Sequence, residues 1–313
     1  MGIPFKTIGN LFILDIDTEQ FLGFTENFPK DVLQNIRLYI YDKDGPIKVE
    51  DLIEAGFNSI SLDSLLEDYL FKNLSQVMGE GQVCFHAIIS SKEKKIGGFE
   101  ALCRLPIPIC KLFKVSDRIA LLLDSYCRER ALLEFRRKFL SRPYFLFLNF
   151  HPKFLKSPLE NAVEIVVSLA NKGIAPSRLV VEINEYEGMD IKSLKLIRNF
   201  LRREGVKVAL DDVGAGYAGL AQLTEMHPDI VKLDMALVRD VHKSLVKQSV
   251  VKGLVSACKS SGIEVLAEGV EKKEELEYLL SLGVDLIQGF LFAKPSPHPS
   301  IREIEKLAYN LLT

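Results

Sequence analysis

The sequence predicts an α/β chain folded as a (β/α)8, TIM-like barrel, and three observations carry that prediction. From about residue 61 onward, short strand-like runs alternate with longer amphipathic runs, as parallel strands joined by helices require. About eight such strands fit into roughly 250 residues, the usual size of such a barrel. Nearly every strand also ends on a polar residue that alternation assigns to a single face. An open doubly wound sheet is the competing architecture, but it has no need of that last repetition.

The elements follow in order. Residues 1–60 lack the alternation and read as an N-terminal extension, with LFILDIDTEQFLGFTENFP faintly similar to the opening strands of a PAS-type sensor. Residues 61–313 form the barrel domain. A helical pattern over Asp63 to Met78 leads into GQVCFHAII and KKIGGFEALCRL, two strand-like runs around a polar turn. A long helix, Val115 to Phe139, precedes YFLFLNF; a further helix leads to RLVVEINE, another to VKVALDD, and a short one to DIVKLD. One long helix is expected over Arg239 to Ser260, then IEVLAEG, a helix, DLIQGF, and a last helix from Ile301 to Leu312.

Side chains of a strand alternate with period two. In GFEALCR, Gly98, Glu100, Leu102 and Arg104 therefore share one face, and in YFLFLNF the set is Phe145, Phe147 and Asn149. The same arithmetic groups Val180 with Glu182, Ala209 with Asp211, Lys232 with Asp234, Leu266 with Glu268, and Leu286 with Gln288. The opposite faces are largely Val, Leu, Ile and Ala, suited to packing under helices. The polar set thus converges on one mouth of the barrel, where βα-barrel chemistry resides.

Composition narrows the function. The 313 residues are 48% hydrophobic and 26% charged, with a net charge of −2, so no overall basic field exists to hold a DNA or RNA polymer. Five cysteines lie scattered through apolar segments without a CxxC, which suits reduced thiols in a cytoplasmic protein better than a disulfide frame or a zinc site. The N-terminal apolar run meets Asp15 and Asp17 too early for a signal peptide, and no segment reaches the length of a membrane span.

The mouth collects Glu100, Asn149, Glu182, Asp211, Asp212, Lys232, Asp234, Glu268 and Gln288. So many carboxylates in a partly dry cavity repel one another and rise in pKa unless cations sit among them. All-oxygen ligands with an amide suit Mg²⁺ or Mn²⁺. Gly214-Ala215-Gly216-Tyr217-Ala218-Gly219 spells the dinucleotide-binding fingerprint, yet Asp211 and Asp212 at its lip would spoil a phosphate cradle. Gly214 and Gly216 instead let the chain turn so that Asp212 joins Asp211 on one side. Neighbouring carboxylates of that kind can bridge two cations about 4 Å apart, a spacing suited to displacement at phosphorus. An enolase-like lyase, with acids and a lysine base around Mg²⁺, is a further alternative; it leaves the paired aspartates and Arg104 unexplained.

In this order the motifs resemble those of EAL-domain cyclic di-GMP phosphodiesterases: Glu100-Ala101-Leu102 with Arg104, Asn149, Glu182-Ile183-Asn184-Glu185, Asp211-Asp212, Lys232-Leu233-Asp234, Ala267-Glu268-Gly269-Val270-Glu271, Gln288-Gly289-Phe290 and Pro295. The resemblance covers about residues 61 to 300. It implies a barrel whose opening strand is antiparallel, and metal-dependent hydrolysis of cyclic di-GMP to linear pGpG, with a non-hydrolysing cyclic di-GMP receptor as the alternative. Carried over, Glu100, Asn149, Glu182, Asp211 and Asp212 would hold two Mg²⁺ or Mn²⁺ ions. Lys232 would place the attacking water, and Glu268 would be the general base or a close partner of that water. Leu102, Arg104 and Gln288 would contact substrate; Glu185, Glu271 and Asp234 would brace the Asp-Asp loop. A homodimer is also expected. His86-Ala87 stands where the family usually has Gln-Pro, and Val213, Ala215 and Ala218 depart from its usual loop.

Overall fold

The computed structural model describes residues 5–8, 11–14, 37–38, 60–61, 71, 74–75, 78–107, 109–112, 117–150, 158–184, 191–214 and 219–313. Near the N-terminus, β1 (Phe5–Ile8) and β2 (Leu11–Leu14) form an antiparallel hairpin, and β3 (Arg37–Leu38) pairs with β4 (Ile60–Ser61). Most of the expected extension and most of the Asp63 to Met78 helix lie outside the described residues.

Eight strands close into a barrel: β5 (Gln82–Ser90), β6 (Lys95–Arg104), β7 (Phe145–Phe150), β8 (Leu179–Asn184), β9 (Lys207–Val213), β10 (Ile230–Leu233), β11 (Glu264–Ala267) and β12 (Leu286–Gln288). β5 runs antiparallel to both neighbours, β6 and β12, while the other six pairings are parallel. The tight turn Ser91 to Lys94 dictates this, because two strands joined so closely can only run in opposite directions. The described helices are α1 (Ile109–Leu112), α2 (Asp117–Phe139), α3 (Pro158–Asn171), α4 (Ile191–Arg203), α5 (Gly219–Met226), α6 (Met235–Val238), α7 (Leu245–Ser260), α8 (Lys273–Ser281) and α9 (Ile301–Leu312).

The helix expected over Arg239 to Ser260 is broken. α6 ends before Arg239, a 3₁₀ turn covers Val241 to Lys243, and α7 starts afresh at Leu245. Two local features cause the break. Asp240 adopts a left-handed φ of 55°, and the Ser244 hydroxyl accepts from Lys247 N–H as an N-cap.

Period-two alternation sorts the strands into an outer apolar face under the helices and an inner face in two layers. The lower layer is a plug of Ile88, Phe147, Val180, Ala209, Ile230 and Leu266, with Leu286 against it. β6 contributes Gly98, where a Cβ would come within 2.7 Å of the Phe145 carbonyl and 3.1 Å of the Phe147 ring. Two residues nearer the mouth on each strand stands a polar group: Glu100, Asn149, Glu182, Asp211, Lys232, Glu268 and Gln288, with His86 preceding Ile88 on the reversed β5. Strand geometry alone seats this polar tier on a dry floor.

Candidate active site

Lys232 is the centre of the upper tier. Its side chain is 1% exposed, and its ammonium lies 2.7 Å from Glu182 Oε1, 2.9 Å from Asp211 Oδ1, 2.9 Å from Glu268 Oε1 and 3.9 Å from Glu100 Oε1. Burial by itself would depress a lysine, but four surrounding carboxylates outweigh it and hold Lys232 well above the ordinary ammonium range.

One ammonium cannot satisfy four acids. Burial lifts Glu182 far above the usual carboxylate range, with Glu100 and Asp211 adding repulsion against the pull of Lys232. Burial likewise pushes Glu268 up to about 8, again with Asp211 and Glu100 opposing Lys232. Glu100 goes the other way. Burial would raise it, but Lys232 and a 2.9 Å hydrogen bond from Gln288 Nε2 prevail, with a 3.3 Å bond from Asn149 Nδ2 adding to them.

Asp212 enters through a β-bulge. The β9–β10 register runs Val231 to Leu210 and then Leu233 to Val213, leaving Asp211 and Asp212 together opposite Lys232. Asp212 itself takes the left-handed φ of 56°, and its N–H donates to Asp211 Oδ1 at 2.9 Å. The turn expected at the glycines therefore begins one residue before Val213. Gly214 continues it at φ 104°, where a Cβ would lie 2.3 Å from Leu237 of α6; Gly216 lies outside the described residues. As a result, one oxygen from each of Asp211, Asp212 and Glu268 falls within 4.8 Å of the others.

The remaining expected residues occupy the rim. Arg104 is exposed at the end of β6 and makes no ion pair among the described residues, and Leu102 is half-buried between it and Glu100. Asp234 does not face Lys232; its carboxylate caps α6, accepting from Ala236 N–H at 2.7 Å. Glu271 accepts from Arg239 at 2.8 Å. Glu185 lies outside the described residues.

Two buried groups escaped the sequence reading as parts of the site. His86 faces Glu100 across the β5–β6 register and donates from Nε2 to the Ala293 carbonyl at 3.1 Å, tying β5 to the segment after Gln288. Glu275 is fully buried and accepts from the N–H groups of Asp240, Glu271 and Lys272 at 2.8, 3.0 and 3.0 Å. Burial would raise its pKa, but these backbone donors overcome it and keep Glu275 below the usual range. A glutamate three residues into a helix is a capping-box signal, masked here because the N-cap position is Lys272.

The arrangement can bind cations. Among the described residues, Glu182 Oε2 is buried without a hydrogen-bond donor, and the groups around Lys232 beside it include carboxylate and amide oxygens, the ligand chemistry of divalent-ion sites. Among the described residues, no helix is long and apolar enough to cross a membrane.

Comparison with known proteins points the same way. The EAL domain family matches residues 72–295. The cyclic di-GMP phosphodiesterase PdeR of Escherichia coli is 44% identical over 108 residues, covering 34% of this chain and 16% of PdeR. The blue light- and temperature-regulated antirepressor BluF, also from E. coli, is 36% identical over 166 residues, 49% of this chain and 40% of BluF. The chain thus spans less than half the length of these curated relatives. The manganese and cyclic di-GMP complex of Klebsiella pneumoniae BlrP1 superposes with a TM-score of 0.64 at 34% identity, over 69% of this chain and 56% of that one.

Proposed function

The chain belongs to the EAL domain family, and from that premise we propose that it hydrolyses cyclic di-GMP to linear pGpG at the mouth of its barrel. The observation that carries the reading is the buried ammonium of Lys232 shared among four carboxylates. Glu100, Asn149, Glu182 and Asp211 would hold one Mg²⁺ or Mn²⁺, and Asp211 with Asp212 a second. When bound, such ions neutralise phosphate charge, acidify water and return Glu268 to its carboxylate form.

The chain's own groups do the rest. Glu268 takes a proton from the attacking water as its oxygen bonds to phosphorus; the opposite P–O ester bond breaks, and the departing oxygen takes a proton from solvent. Lys232 orients that water and offsets charge developing on the phosphoryl oxygens. Arg104, exposed at the rim, presents a fork to a substrate phosphate, with Leu102 and Gln288 along the substrate path. Glu275, Glu271 and Asp234 fix the segments behind the bulge, with Glu185 as a further brace. We place the reaction in the cytoplasm, in keeping with the free described cysteines, and in a homodimer, in keeping with Leu245 and Val246 standing 80% and 75% exposed at the start of α7.

The test is product separation after incubation with cyclic di-GMP and Mg²⁺ or Mn²⁺. Accumulating pGpG supports hydrolysis. Tight binding without product would instead establish the receptor reading, which the likeness to an antirepressor favours.

A further inference from the structure

Cys103 stands between Leu102 and Arg104 on β6, so alternation turns its thiol away from the mouth, on the same side as buried Val83 opposite it. There it meets α2. Asp124, Cys127 and Arg128, at helical spacing, share with Cys103, Leu102 and Asn149 the wall of a cavity of about 130 Å³. The two thiols are hydrogen-bonded to each other, and both are free and half-buried. Asp124 and Arg128 form a buried ion pair beside them. The bond with Cys127 holds Cys103 below the ordinary thiol range, outweighing its burial, with Arg130 and Arg104 assisting. A thiol poised beside a resolving partner is the arrangement of redox-sensing cysteines.

We propose that Cys103 and Cys127 are a reversible redox pair that staples β6 to α2 under a peroxide-class oxidant. The Cys103 thiolate attacks a peroxide oxygen; the O–O bond breaks, and the departing oxygen takes a proton to leave as water or alcohol. The Cys127 sulfur then attacks the resulting sulfenic sulfur, forming the S–S bond and releasing the sulfenic hydroxyl, with the thiol proton, as water. Two electrons pass from the sulfurs to the peroxide, and a dithiol reductant returns them. Cys103 is flanked in the chain by Leu102 and Arg104, so stapling it shifts the substrate rim. On the proposed-function reading, oxidation raises the KM for cyclic di-GMP several-fold with little change in kcat.

The experiment treats the full chain with hydrogen peroxide, alkylates it, digests it without reductant and maps the peptides by mass spectrometry. A cross-linked pair containing Cys103 and Cys127, lighter by two hydrogens and abolished by dithiothreitol, is expected. No cross-link, or Cys103 joined instead to Cys84, overturns the proposal. Cys127→Ser should melt like the native protein, trap a sulfenic acid at Cys103 and lose the peroxide effect on KM; an unchanged peroxide effect overturns the regulatory role. Reduced protein that fails to cleave cyclic di-GMP defeats the functional reading alone, because the peptide map decides the redox pair independently.

Discussion

The two ends of the barrel interior are both charged, and they differ in how the charges are matched. At the base, a cavity of about 540 Å³ is ringed by residues that include Glu93, Lys95, Lys207, Glu264 and Glu305. Four of these groups pair one to one, Lys95 with Glu93 at 2.9 Å and Lys207 with Glu264 at 3.1 Å, and Glu305 accepts from the Tyr144 hydroxyl at 3.3 Å. At the mouth, four carboxylates share one buried ammonium. The base has a cavity rimmed by paired charges, and the mouth has the unmet charge. In a βα-barrel the base serves stability and the mouth serves chemistry, so electrostatic imbalance marks the site here.

The sharpest way to break this contrast is to disarm the mouth while sparing its charge count elsewhere. Glu268→Gln should lose about 10²–10⁴ in turnover, the range of an acid–base group, while retaining cyclic di-GMP binding by calorimetry. Near-normal turnover would remove Glu268 from its role. Next in size, Lys232→Met strips the ring of the one cation paired with it among the described residues. Thermal or denaturant unfolding without metal should show a loss of about 3–5 kcal/mol, as for a buried ion pair that loses one partner, and Mn²⁺ should recover part of it.

A third test uses pH. Glu268 titrates at about 8 in the folded protein against an ordinary 4.5. A carboxyl raised in this way adds stability in full below the lower value and loses it as pH rises through the higher one. Without divalent ions, the melting temperature should therefore fall between about pH 5 and 8, and added Mn²⁺ should raise it most at the alkaline end. A flat, metal-independent profile would show that the mouth is as neutral as the base. The smallest effect belongs to the base itself. Lys207→Ala should cost only about 0.2–1 kcal/mol, with kcat and KM unchanged, and a large kinetic effect would erase the distinction between the ends.

The barrel and its polar tier are legible in the sequence because both follow from one local rule. Alternation places Glu100, Asn149, Glu182, Asp211, Lys232, Glu268 and Gln288 on one face without any tertiary information. Alternation fails for Asp212, whose position depends on a bulge that only pairing with β10 reveals. It also misleads for Asp234, which shares the parity of Lys232 but falls just past the strand, where the chain has already turned into α6. The break at Asp240 was hidden for a similar reason. Its left-handed φ is supported by Glu275 from a helix some 35 residues later, and apolar periodicity carries no trace of such a partner. Glu275 itself reads as one more surface acid in EKKEELE until the fold buries it.

The mouth is short of positive charge, and on the proposed reading divalent ions supply it. Diffraction at the manganese edge from crystals grown with Mn²⁺ and a non-hydrolysable cyclic di-GMP analogue measures this directly. Two manganese peaks are expected, one among Glu100, Asn149, Glu182 and Asp211 and one against Asp211 and Asp212. A ring without manganese, with Lys232 still the sole cation between its carboxylates and the analogue bound, would contradict it.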